Sequence, residues 1–239
     1  MRGATLLAVS VLAACGPVPR LVDGGAPPDS VDSGAFDAGS VDAGADAGAR
    51  PPDPWADRVV RVALGDGAGF GQERFPQVVL GPPEGGGTSS GSLDVLSLGR
   101  EGLIELEFTD LLAVNGPGVD LLVFENPFGT FFETGVVAVS DDGVDWREFP
   151  CAADDVDGGF PGCAGTHVVF GNPAMGVSAT DPSVAGGDGF DLSTVGLPRA
   201  RFVRVRDSGR NRFYGAPGGG FDLDAVAVVN ARLVDGGLP

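Results

Sequence analysis

Glycine and proline break this chain so often that no part of it can wind into a long helix. The 239 residues include 41 glycines and 19 prolines, and no window of about 12 residues carries helical periodicity without one of them interrupting it. What survives between the breakers is a series of short apolar or alternating runs. Residues 58–64 are mostly apolar, 77–80 and 93–98 are short candidates, and 103–108 alternate from Ile104. Residues 119–124 are apolar except for Asp120, the pattern of a strand covered on both faces. Further runs occupy 136–140, 146–149, 168–170, 200–206 and 222–229, with Val203 and Val205 facing inward. Many short strands with turn-rich joints predict an all-β fold of β-sandwich type.

The start of the chain carries a different signal. Arg2 precedes an apolar stretch at residues 4–11, which runs into Leu12-Ala13-Ala14-Cys15. A positive start, a short apolar segment and small residues at a cut site make an export signal. A cysteine at that cut site resembles the lipobox of bacterial lipoproteins. The resemblance implies that residues 1–14 are removed, that Cys15 is acylated, and that lipid anchors the protein to the cell envelope, at the outer membrane or cell surface. Gly16 is compatible with outer-membrane sorting. Residues 15–54 then read as a tether of Asp, Ala, Gly and Pro. Such a segment buries too little apolar surface to offset the entropy of ordering it. As a Gly-rich coil it spans about 35 Å, and its like-charged aspartates extend it. Its Asp-x-Gly repeats lack the pattern of calcium-binding nonapeptides.

Residues 55–239 are long enough for one domain with its own core. The whole chain has 33 acidic residues against 15 basic ones, all arginine, for a net charge of −18. A surface of that sign excludes nucleic acid as a partner and suits cations. Cys151 and Cys163 flank an Asp/Gly-rich loop. In an oxidising compartment such a pair is expected to form a disulfide. The rival zinc site needs two more soft ligands, and His167 is the single histidine.

Two motifs carry a family likeness. Val137-x-Val139-Ser140-Asp141-Asp142-Gly143-x-x-Trp146-x-x-Phe149 resembles a strand–turn–strand of discoidin and galactose-binding-like domains, and Ala200-Arg-Phe-Val-Arg-Val205 is similar to a later strand of that fold. The likeness spans residues 119–205. It implies a jelly-roll β-sandwich that binds sugars, glycans, lipid head groups or proteins through loops at one end. Residues 118–126, 186–192 and 221–226 also look like bacterial cell-surface proteins.

Clustered carboxylates are the candidate site chemistry. Asp222 and Asp224 alternate at the start of a strand, while Glu125 and Asn126 end the strand at 119–124. If those strands pair antiparallel, the four side chains converge, with Asp188 and Asp191 as loop ligands. Hard oxygen donors of this kind suit calcium. The alternative is that these residues form turns and guard sheet edges. A ligand rim is expected at Phe128, Phe131, Arg210, Arg212 and Tyr214, because aromatic faces stack on sugar rings. Catalysis is not expected. His167 has no Gly-x-Ser-x-Gly partner, and Glu105 and Glu107 lie side by side on one strand rather than across a cleft. The composite expectation is a lipid-anchored, non-catalytic recognition module for glycan or another surface ligand. A structural envelope protein making protein–protein contacts is the alternative, and a hydrolase with an unfamiliar acidic site comes third.

Overall fold

A computed structural model describes residues 51–129, 131–212, 214 and 218–235. The export segment, Cys15, the tether up to residue 50, and Phe213 lie outside the described residues. Thirteen strands form in the remainder: β1 (Arg58–Ala63), β2 (Leu96–Ser97), β3 (Leu103–Glu107), β4 (Leu111–Val114), β5 (Leu121–Phe124), β6 (Gly135–Ser140), β7 (Arg147–Glu148), β8 (Asp188–Phe190), β9 (Arg199–Ala200), β10 (Phe202–Asp207), β11 (Asp222–Leu223), β12 (Ala225–Val228) and β13 (Ala231–Leu233). The helical segments among the described residues are short 3-10 turns. None of the described helices is long and apolar enough to cross a membrane.

Every strand pairing is antiparallel. The largest sheet has the order β1-β3-β10-β6-β7, and smaller ladders join β12-β5-β8, β13-β4-β9 and β11-β2. Alternation places Ile104, Leu106, Val137, Val139, Val203 and Val205 on one face of the large sheet. There they share a buried core with Leu121, Val123, Val226 and Val228 of the opposing ladders. The result is a sandwich-like all-β body. Each such aliphatic side chain contributes about 1.5–3 kcal/mol when fully buried. β5 is buried along its whole length. Leu122 and Phe124, on its second face, pack with Val169, Ala179 and Ala185 from the segment that covers it.

The outer face of the large sheet follows from the same alternation. Glu105 and Glu107 point away from the core and pair with arginines. Arg204 Nη2 lies 2.7 Å from Glu105, Arg201 Nη2 lies 2.9 Å from Glu107, and Arg58 also bonds Glu107. The Arg204 guanidinium stacks 3.9 Å over the Trp146 ring. Trp146 reaches it because the β6–β7 connection turns tightly: Asp142 Oδ1 accepts the N–H groups of Val144 and Asp145. Gly143 adopts φ +75°, which side-chain-bearing residues disfavour.

Some local expectations are corrected. Residues 77–79 form a 3-10 turn rather than a strand. Pro76 precedes it, and adjacent Val78 and Val79 are both buried, which a helical turn at the core edge permits. Residues 168–170 make only a bridge, between Val169 and Gly186. β4, β8 and β13 appear where no strand was expected. β8 has glycine at its centre, and a Cβ on Gly189 would meet Val119 Cγ2 at 2.7 Å.

Candidate functional site

The pairing of β5 with β12 sets the site. Ala225 lies opposite Phe124, so Glu125, just beyond the end of β5, comes level with the segment that opens β11. Asp222 stands at that opening, its own strand pairing with Ser97 of β2. Glu133 enters from the segment leading into β6. Ligand-capable oxygens of Glu125, Glu133 and Asp222 all lie within 4.8 Å of one another. All three residues are buried, at 1 %, 1 % and 8 % relative exposure.

The hydrogen bonding of these groups is incomplete. No hydrogen bond of good geometry reaches either oxygen of Glu125, Oε2 of Glu133 or Oδ1 of Asp222, all of them buried; the Asn126 N–H lies near the Glu125 carboxyl and opposes the rise in its pKa without forming such a bond. Glu133 Oε1 accepts the Gly220 N–H at 2.8 Å. Gly220 holds φ +93°, and a Cβ there would meet the Gly99 carbonyl carbon at 2.8 Å. Two other buried acids, Asp207 and Asp120, have both oxygens bonded. Asp207 Oδ1 accepts from Glu101 N, Gly209 N and Tyr214 Oη, and its Oδ2 from Asn211 Nδ2 and Phe221 N. Asp120 accepts from Gly116 N, Leu192 N and Asn230 Nδ2. Asp110 Oδ1 is also buried without a partner, so what marks the cluster is that such oxygens from three carboxyl groups converge within 4.8 Å.

Electrostatics point the same way. Burial, then the neighbouring carboxyls of Asp222 and Glu133, push Glu125 well above the usual carboxylate range. Burial, then Asp222, raises Glu133 to about 8. Burial raises Asp222 to about 7. Three carboxylates this close in a dry site cannot all ionise alone. They either keep protons or surround a hard cation. Calcium takes six to eight oxygens, with carboxylates and carbonyls as its usual donors.

The remaining metal candidates have hydrogen-bond partners of their own, and Asp188 still bears on Glu125 through its charge. Asp224 accepts the Glu84 N–H, with oxygens 3.3 and 3.2 Å away. Burial raises it to about 8. Asn126 donates to the Ser92 carbonyl. Asp191 caps a 3-10 turn by accepting the Ser193 N–H. Asp188 accepts the N–H groups of Gly165 and Thr166 and also pairs with His167 Nδ1 at 2.7 Å. Glu133 was not anticipated, because it sits in a segment without periodicity.

A second feature adjoins the cluster. Phe131, Phe132, Val156, Phe160, Arg210 and Arg212 line a surface cavity of about 480 Å³. The structure therefore brings together Phe131, Arg210 and Arg212 of the expected rim. Phe128 stacks on Phe131 at 5.5 Å but does not line the cavity. Tyr214 turns inward, its hydroxyl donating to Asp207 and its ring beneath Arg100. Val156 and Phe160 come from the loop closed by the Cys151–Cys163 disulfide, whose Cα atoms are 4.5 Å apart. Residues flanking Glu133 build the cavity floor: Phe132 precedes it, and Thr134 N donates to Asn211 Oδ1 at 2.6 Å.

His167 does not assemble a nucleophilic triad. Thr166 Oγ1 and Asp188 both approach the same ring nitrogen, Nδ1. A triad needs the hydroxyl on the nitrogen opposite the carboxylate. Comparison with protein-family models, curated proteins and solved structures returns no match.

Proposed function

We propose that this chain is an exported, lipid-anchored recognition module without catalytic activity, a jelly-roll sandwich of galactose-binding-like type whose loop end is organised by calcium. The observation that carries this reading is the set of buried oxygens without good hydrogen bonds on Glu125, Glu133 and Asp222, of which Glu133 lies in sequence between Phe132 and Thr134, two residues in the lining of the aromatic–arginine cavity. A cation there replaces mutual repulsion with attraction and fixes the ends of β5 and β11 relative to the segment entering β6. The cluster residues line neither that cavity nor the smaller ones near Phe190 and His167. This favours a structural ion over a reacting one. The cavity, with aromatic faces and charged edges, is the place for a surface ligand, with glycan as the leading class.

Calorimetric titration of calcium into the chelator-treated full chain tests the metal. One binding event is expected for the wild type and none for Asp222→Asn. Absence of binding by the wild type overturns the proposal. The anchor is tested separately: Cys15→Ser is expected to move the protein from the membrane to the soluble fraction.

A further inference from the structure

Resting on the recognition reading above, we infer that the cavity at Phe131, Phe160, Arg210 and Arg212 selects sugars bearing a carboxylate, such as the uronic acid units of acidic polysaccharides. The inference begins with charge. The chain carries a net charge of −18, yet two arginines face this one cavity. Arg212 is exposed and makes no ion pair among the described residues. Arg210 lies 3.5 Å from Asp154 in a pairing of two exposed side chains. Such a pair contributes little to stability, so both guanidiniums are available to an incoming anion. Guanidinium matches a carboxylate with two parallel hydrogen bonds.

The rest of the lining suits a sugar ring. Phe132 and Phe160 meet edge to face with centroids 6.2 Å apart, and together with Phe131 they present apolar surface to the cavity. The axial C–H groups of a pyranose pack against such faces. Asp154 also lines the cavity, and its exposed carboxylate can accept from hydroxyl groups, whereas the Asn211 amide there is already bonded to Thr134 and Asp207. A wholly apolar ligand would desolvate Asp154 and both arginines without offering them polar partners, which costs binding energy. A bare inorganic anion would make no use of the phenyl rings. A carboxylated pyranose engages both parts of the lining.

The wall is held firmly enough to select. Asn211 is fixed by Thr134 and Asp207. Asp207 also holds the backbone at Gly209 and Phe221. Arg210 and Arg212 therefore flank a side chain that is itself held in place. The disulfide anchors the opposite wall.

The test compares a glucuronate-containing oligosaccharide with the same oligosaccharide after reduction of its carboxylates to primary alcohols. Binding to the full chain is measured by calorimetry in calcium buffer. The carboxylated form is expected to bind at least about tenfold more tightly. Arg212→Gln and Arg210→Gln are expected to remove that preference while leaving weak binding of the reduced form, and Phe131→Ala to weaken both. Both arginines are exposed, so these variants retain the fold, which an unchanged melting temperature verifies. Equal affinity for the two saccharides overturns uronate selection and leaves glycan recognition standing. Failure of both to bind overturns the inference together with the glycan part of the recognition reading. The calcium titration above reports independently on the metal centre. Preference for the carboxylated form that survives in both arginine variants also overturns the assignment.

Discussion

Raising the pH of the metal-free protein from 5 to 8 is expected to destabilise it, and calcium is expected to reverse the trend. Glu133 moves from 4.5 to about 8 on folding, and Asp222 from 3.8 to about 7. Below about pH 3 both groups hold their protons in folded and unfolded chains alike. Between there and pH 7–8 the unfolded chain has released them while the folded protein still binds them. The folded state then carries more protons, so stability falls as pH rises. At about 1.36 kcal/mol per unit, the Glu133 shift alone corresponds to a loss on the order of 4 kcal/mol across that window. The Asp222 change overlaps with it, because the two groups repel. Calcium needs the ionised forms, so its affinity rises about tenfold per pH unit for each proton it displaces. At a hundredfold excess over its dissociation constant, calcium adds about 2.7 kcal/mol. For a domain of this size that is a rise of about 5–10 °C in melting temperature. Thermal melts at pH 5, 6.5 and 8, with calcium and with chelator, measure both effects. The calcium shift is expected to be near zero at pH 5 and full at pH 8. Glu125→Gln keeps the shape of the protonated side chain but cannot supply the carboxylate that calcium needs. It is expected to lose the calcium shift while melting no lower than the wild type in chelator at pH 8. A calcium shift that is absent, independent of pH, or retained in Glu125→Gln refutes the reasoning.

Three further outcomes follow from the geometry. Replacing both Cys151 and Cys163 by alanine is expected to cost about 3 kcal/mol in denaturant unfolding, from the 12-residue separation they close. Asp207→Ala strands the buried donors of Phe221 and its neighbours and is expected to cost about 3–5 kcal/mol, whereas Tyr214→Phe, which removes one donor to Asp207, is expected to cost about 1–2 kcal/mol by the same assay. The hydrogen bond to Asp188 raises the His167 pKa, so this pair stabilises the fold below the ordinary histidine pKa and loses that contribution as pH rises through the raised value; an NMR titration of the ring is expected to show the upward shift and its disappearance in Asp188→Asn.

Strands with strict alternation were legible in the sequence, because each had one face on the core. β3 and β10 show this most clearly: Ile104, Leu106, Val203 and Val205 are buried inward while Glu105 and Arg204 pair outward. β5 was legible for a different reason, since its unbroken apolar run matches burial on two faces. β8 was not legible, because Gly189 makes room for Val119 and leaves no side-chain pattern. The meeting of Glu125 and Asp222 followed from a single assumed pairing, which the β5–β12 register supports. Asp224 escaped that logic because the chain changes ladder between β11 and β12, so strict alternation does not carry across. Glu133 escaped it because long-range contacts alone place it. Aromatic residues flagged the cavity region, but only the fold separates Phe131, which lines it, from Tyr214, which buries its hydroxyl.

The bonds that converge on Asp207 separate holding from reading. Three of its five donors are main-chain N–H groups, those of Glu101, Gly209 and Phe221, and the nearby segment is anchored through Asn211 and Tyr214. The arginines at 210 and 212 carry none of that mechanical duty. They are exchangeable fittings on a fixed frame, so substitution at either position alters the lining of the cavity without rebuilding the sandwich beneath.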